Sequence, residues 1–145
     1  MSEQELVEKY KANGWQLIED SGYVGLVGPY FYRQDGETIK FCFPTQDKHL
    51  NRNGVVHGGA LMTFLDRVCG MTVRETTSTT QTATVQLNYN FIDAVQAGEV
   101  VTTSPQITRE ASQIVFINAR LHVGDRLVAE ATGIWKKAKP RPPHP

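Results

Sequence analysis

Cysteine is almost absent from this chain: Cys42 and Cys69 are the only two in 145 residues. Each lies in an apolar stretch and reads as a buried thiol. Two such thiols exclude a disulfide framework and fit a reducing compartment, which makes the cytoplasm the expected location. Net charge is missing as well, because 15 Lys and Arg offset 15 Asp and Glu. That balance argues against a nucleic-acid groove and leaves room only for local patches. No apolar run approaches the ~20 residues of a membrane span. The N-terminal stretch MSEQELVEKYKANGW is charged throughout and lacks the apolar centre of a signal peptide. His49, His122 and His144 are scattered, with no second ligand at zinc-like spacing, so no metal is expected. The glycines form neither a phosphate loop nor a dinucleotide-binding pattern, so no bound cofactor is expected either.

What remains is one domain, expected over residues 1–139, followed by a Pro-rich tail over 140–145 that reads as disordered. Leu6, Val7 and Tyr10 recur at helical spacing between Ser2 and Ala12, ahead of the Asn13-Gly14 turn. Tyr23 to Phe43 is rich in β-branched and aromatic residues, broken at Gly28-Pro29 and again at Gln34 to Glu37. It reads as two or three antiparallel strands. Pro44 to Val56 is an aperiodic loop of a length that suggests function or an oligomer contact. From His57 to Arg74, one stripe carries Leu61, Phe64, Leu65, Val68 and Thr72, and another carries Thr63, Arg67, Gly70 and Arg74. The spacing predicts a long, largely buried helix. Four β-like runs follow, over Thr82 to Phe91, Glu99 to Arg109, Ile114 to Val123 and Arg126 to Lys136. Strands, one long helix and then strands is an α+β order, packed most economically as a curved antiparallel sheet around the helix.

Two features of the long helix carry chemistry. Gly58 and Gly59 stand where loop becomes helix, so their N–H groups are among the donors that an α-helix leaves unpaired, at its electropositive end. Such an end suits a carbonyl oxygen that gains negative charge. Two glycines there also fit a mere tight turn or close backbone approach. Asp66 falls on a strip with Met62, Cys69 and Val73, where a carboxylate needs partners or a task. The bland alternative is a solvated helix-surface acid. Gly58 and Asp66 are eight residues apart, which is about 12 Å of helix at ~1.5 Å per residue. Groups that act on one carbon must lie within roughly 3 to 4 Å of it, so one helix does not supply both. Two helices antiparallel across a dyad do, which predicts at least a homodimer.

The string Asn51-Arg-Asn-Gly-Val-Val-His57-Gly58-Gly59, with Asp66 following in the same helix, resembles the signature of hotdog-fold acyl-CoA thioesterases of the PaaI-like (phenylacetyl-CoA thioesterase-like) group. The likeness runs from about Gly54 to Lys137. It implies a hotdog fold, a homo-oligomer built as a dimer or dimer of dimers, and hydrolysis of an acyl-CoA to free acid and CoA. By the same resemblance, the Gly58 amide and the Asn51 side chain of one subunit hold the thioester carbonyl, and His57 buttresses the loop. Asp66 of the other subunit acts as general base or as nucleophile, both of which stay open, and Thr84 helps to orient water. The resemblance also implies that the turn from Arg109 through Ser112 to Gln113 borders the pantetheine channel, with Arg109, Lys136 or Lys137 meeting phosphates. Two other readings stand beside it: a dehydratase or hydratase of the same fold using His57 and Asp66, and a non-catalytic acyl-CoA-binding module, which would lack a competent acid on the central helix.

Overall fold

A computed structural model describes residues 1–77 and 79–138. Ser2 starts the chain's first helix, α1 (Glu3–Ala12), with a reciprocal cap: its hydroxyl accepts the Glu5 N–H, and the Glu5 carboxylate accepts the Ser2 N–H. There follow β1 (Gln16–Leu17), α2 (Gly22–Val27), β2 (Phe31–Asp35), β3 (Thr38–Pro44), a 3-10 turn at Asp47–His49 and the long helix α3 (Gly58–Thr77). The remainder is strand: β4 (Gln81–Phe91), β5 (Val100–Thr103), β6 (Gln106–Glu110), β7 (Ile114–Val123) and β8 (Arg126–Ala138). The strands form one antiparallel sheet in the order β1-β2-β3-β5-β7-β8-β4, with β6 pairing β7. This is the expected α+β architecture, a curved sheet around one helix.

Period-two alternation decides what faces α3. On β7, Val115, Ile117, Ala119 and Leu121 are buried while Ile114, Phe116, Asn118 and Arg120 are exposed. The inward side chains meet Leu61, Phe64, Leu65 and Val68 of α3, the stripe anticipated from sequence, in one core that includes Phe41, Phe43 and Trp135. Burying each large apolar side chain contributes about 1.5 to 3 kcal/mol. Gly133 has no room for a side chain, since a Cβ there would lie 2.4 Å from the Trp135 ring and 3.1 Å from the Gln86 carbonyl oxygen. The absent Cβ lets Trp135 lie flat under α3 beside Gly70. On the convex face, α1 covers Phe31 and Cys42, and the Tyr10 ring stacks on Phe31 with centroids 4.7 Å apart.

Two expectations need correction. Tyr23 and its neighbours do not join a strand: Gly22–Val27 is helical, and within this stretch strand begins only at Phe31. The run Glu99 to Arg109 is two strands, because it breaks at Ser104-Pro105, where proline has no N–H for the ladder and restricts the residue before it. The tail over 140–145 lies outside the described residues. Among the described residues, no helix is long and apolar enough to cross a membrane.

Candidate active site

The loop before α3 is braced from within. The Asn51 side-chain oxygen accepts the N–H groups of Asn53 and Val55 at 2.9 and 3.3 Å. An isolated bridge pairs Leu50 with Val56, and Val56 N–H donates to the Val95 carbonyl at 2.8 Å. The Asn51 oxygen is therefore spent on its own loop, and only its NH2 group is left to donate outward. His57 follows, and its Nδ1 accepts the Gly59 N–H at 2.7 Å, capping the helix through a side chain. A Cβ on Gly59 would lie 2.9 Å from that Nδ1, so the cap requires glycine. With Gly59 satisfied, the Gly58 N–H meets no acceptor among the described residues.

His49 ties this segment to the rest of the fold, and sequence reading missed it. Its carbonyl accepts the His57 N–H at 2.7 Å, its Nδ1 accepts the Gln46 N–H at 2.9 Å, and its Nε2 bonds to the Val27 carbonyl. Those partners fix the neutral, Nε2-protonated ring, and burial lowers the His49 pKa accordingly. A histidine without a second ligand carries no signal in sequence, because its partners are backbone groups of a loop and of α2.

Asp66 stands two turns into α3, exposed in the single chain, and the Thr84 hydroxyl donates to its Oδ1 at 2.7 Å. That meeting depends on a bulge in β4, where the register with β8 shifts between Thr84 and Gln86. Before the bulge, Thr82 and Thr84 face α3. After it, Leu87 and Tyr89 pack toward the core, and Phe91 lies over Gly58, its ring 3.2 to 3.7 Å from where a Cβ would be. Tyr89 donates to the Met62 carbonyl at 2.6 Å. Hence β4 runs antiparallel to α3, with Phe91 beside Gly58, Tyr89 beside Met62 and Thr84 beside Asp66. Cys69, one turn beyond Asp66, is buried; desolvation first, then the nearby Asp66, raise its pKa, so it stays a thiol.

The strip beside Asp66 is also clamped from α2 and the segment before it, which sequence did not reveal. Arg67 Nε lies 2.9 and 3.0 Å from the two oxygens of Asp20, and the Tyr23 and Thr63 hydroxyls are 3.0 Å apart. The CoA candidates gather at one end of the sheet. Lys137 N–H donates to the Gln113 carbonyl at 2.9 Å, and its ammonium lies 3.5 Å from Glu110. Lys136 pairs across strands with Ala83, next to Thr84, while Arg109 and Ser112 are exposed at the β6–β7 turn. Lys137 is thus already partnered, and Arg109 and Lys136 are the freer cations. Gly58 and Asp66, in contrast, are not brought together within one chain.

A curved antiparallel sheet wrapped around one long helix defines the hotdog class. The chain belongs to the thioesterase superfamily, whose family model matches residues 53–132. A Pseudomonas aeruginosa protein that carries the name of an esterase is 31% identical over 121 residues, covering 82% of this chain and 90% of that protein. The Escherichia coli PaaI protein from the phenylacetic acid degradation operon shares the fold at TM-score 0.67 and 16% identity, covering 94% of this chain and 88% of its own. A thioesterase protein of Streptococcus pneumoniae with coenzyme A superposes at TM-score 0.68 and 19% identity, covering 83% of this chain and 94% of its own. The chain is therefore a hydrolase of the thioesterase superfamily with a hotdog fold, the fold it shares with PaaI.

Proposed function

We propose that this protein hydrolyses acyl-CoA thioesters at composite sites formed between two copies of the chain. The observation that carries this reading is the Thr84 hydroxyl donating to an exposed Asp66 on a helix whose first free N–H belongs to Gly58. In the mechanism, Asp66 takes a proton from water as the water oxygen attacks the thioester carbonyl carbon. Thr84 holds one carboxylate oxygen and leaves the other for the water. The carbonyl oxygen, now negative, accepts the Gly58 N–H of a second copy at the positive end of α3. Collapse expels CoA as a thiolate, whose low basicity relative to an alkoxide lets it leave without prior protonation. His57 acts through the backbone, holding Gly59 so that Gly58 points outward, and the Asn51 NH2 group is the second donor available to the oxyanion.

Two independent features of the chain call for a second copy. Placing Asp66 of one helix against Gly58 of another, antiparallel, centres the dyad near Met62, a large apolar side chain that is 41% exposed. Separately, β4 is an edge strand of 11 residues whose outer side pairs with no strand among the described residues, a liability that strand pairing across a dyad removes. Because β4 and α3 run side by side, pairing two β4 edges about their middle, Gln86, puts the dyad between the levels of Met62 and Asp66. Both routes put the axis on the same stretch of α3. Arg109 and Lys136 then receive CoA phosphates at the neighbouring end of the sheet, and the coenzyme A in the Streptococcus pneumoniae structure supports that substrate class.

The test is release of CoA thiol from a panel of aromatic, medium-chain and long-chain acyl-CoAs. Asp66→Ala is expected to lose about a hundredfold or more, the usual contribution of a positioned proton acceptor, while keeping its oligomeric state. Full hydrolysis by Asp66→Ala would overturn the proposal. CoA binding without thiol release by the wild-type protein would favour the non-catalytic module.

A further inference from the structure

The convex face of the sheet, away from α3, holds a cleft of about 590 Å³ that the thioesterase reading does not use. Its lining cations come from two strands, Lys40 on β3 and Arg120 with His122 on β7, and Arg33 of β2 stands just outside it. Lys40 on β3 stands directly opposite Arg33 on β2, two like charges in cross-strand register, an arrangement that costs stability unless an anion relieves it. On the other side, Thr102 pairs with Cys42 of β3 and with His122 of β7. Continuing those registers by two residues puts the small Ser104 between Lys40 and Arg120, and all three line the cleft. Strands lie ~4.8 Å apart, so Lys40 and Arg120 are about 10 Å apart at the backbone. That gap suits two long basic side chains closing over adjacent anionic groups.

The cluster is not neutralised internally. Among the described residues, neither Lys40 nor Arg120 nor His122 makes an ion pair, and no acidic side chain lines the cleft. Glu130 stands opposite Arg120 on β8, on the side away from Ser104, without pairing to it. Arg33 is held over the Trp15 ring, 4.3 Å from its centroid. The hydroxyls of Thr102 and Ser104 and the amide of Gln106 add neutral hydrogen-bonding groups to the same walls. In a chain of zero net charge, a row of cations with no ion pair among the described residues is a local device.

We infer that this cleft binds a small molecule bearing two or more neighbouring phosphate groups, with Lys40 and Arg120 as the gripping side chains. The sheet separates it from Asp66 of the same chain.

Calorimetric titration of the full-length protein with inorganic pyrophosphate tests the inference, with Lys40→Ala and Arg120→Ala each checked for fold by circular dichroism. The expected result is saturable binding at millimolar or lower concentration, weakened about tenfold in each variant and unchanged in Asp66→Ala. Acyl-CoA KM in Lys40→Ala separates the two sources of phosphate: an unchanged KM points to a free phosphorylated molecule, a raised KM to the phosphates of the substrate itself. Absence of binding by the wild type, or binding that neither variant weakens, would overturn the site. So would sedimentation showing that Lys40→Glu dissociates an oligomer while pyrophosphate fails to bind, since the face would then meet another copy of the chain.

Discussion

Replacing Thr84 by Val removes one hydroxyl and little else. The side chain keeps its branched shape and its preference for strand. Thr84 is exposed in the single chain and its hydroxyl has one partner, the Asp66 carboxylate at 2.7 Å. A hydrogen bond to a charged acceptor contributes about 1.5 to 3 kcal/mol. If all of that positions the carboxylate toward water, turnover falls by roughly 10- to 150-fold, since each 1.36 kcal/mol is a factor of ten. Solvent reaching Asp66 replaces part of the lost bond, which puts the expected loss at the lower end, about tenfold. The loss should fall on kcat with KM nearly unchanged, because Thr84 faces Asp66 rather than the CoA candidates. Thr84→Ser, which restores the hydroxyl, should recover most of it. The measurement is steady-state thiol release for the three proteins at matched oligomeric state. A Thr84→Val enzyme with wild-type kcat, or a Thr84→Ser enzyme as slow as Thr84→Val, would refute the role given to this contact.

Met62→Asp should place two like charges at the proposed dyad, so sedimentation is expected to show monomers and hydrolysis to vanish with the dimer; an active monomer would sink the composite site. His49 gives a pH dependence with a definite sign. Its folded pKa is lowered, so as pH falls below about 6.5 the unfolded chain takes up a proton that the folded chain refuses. Stability is therefore expected to be level above about 6.5 and to decline below it, by at most ~1.4 kcal/mol per pH unit from this residue. Urea denaturation across pH 5 to 8 should show a smaller decline in His49→Gln, and equal declines would count against it.

Much of this was readable in residue order because it rests on periodicity. The stripe from Leu61 to Thr72 and the alternation along Ile114 to Val123 each state which side is buried, and the structure buries those sides. Thr84 beside Asp66 came from family likeness, and the hydrogen bond between them is present. Gly22–Val27 departs from the expected strand because Tyr and Val favour strands only when a neighbouring strand accepts them. This segment instead closes against α3 through Tyr23 and, just before it, Asp20. His49 and the Asp20–Arg67 pair were invisible for a simpler reason: their partners are distant in sequence or are backbone atoms, and neither leaves a repeat or a spacing.

The irregularity between Thr84 and Gln86 means that the strand beside the helix changes phase partway along. One half offers hydroxyls to the helix and the other offers aromatic rings, something that strict alternation forbids. The chemistry is consequently sensitive to backbone phase more than to residue type there. Val85, 59% exposed, is free to vary in kind, whereas a β4 of the same length paired without the bulge would turn the hydroxyl at 84 out toward the convex side, stranding the carboxylate without changing a single functional group.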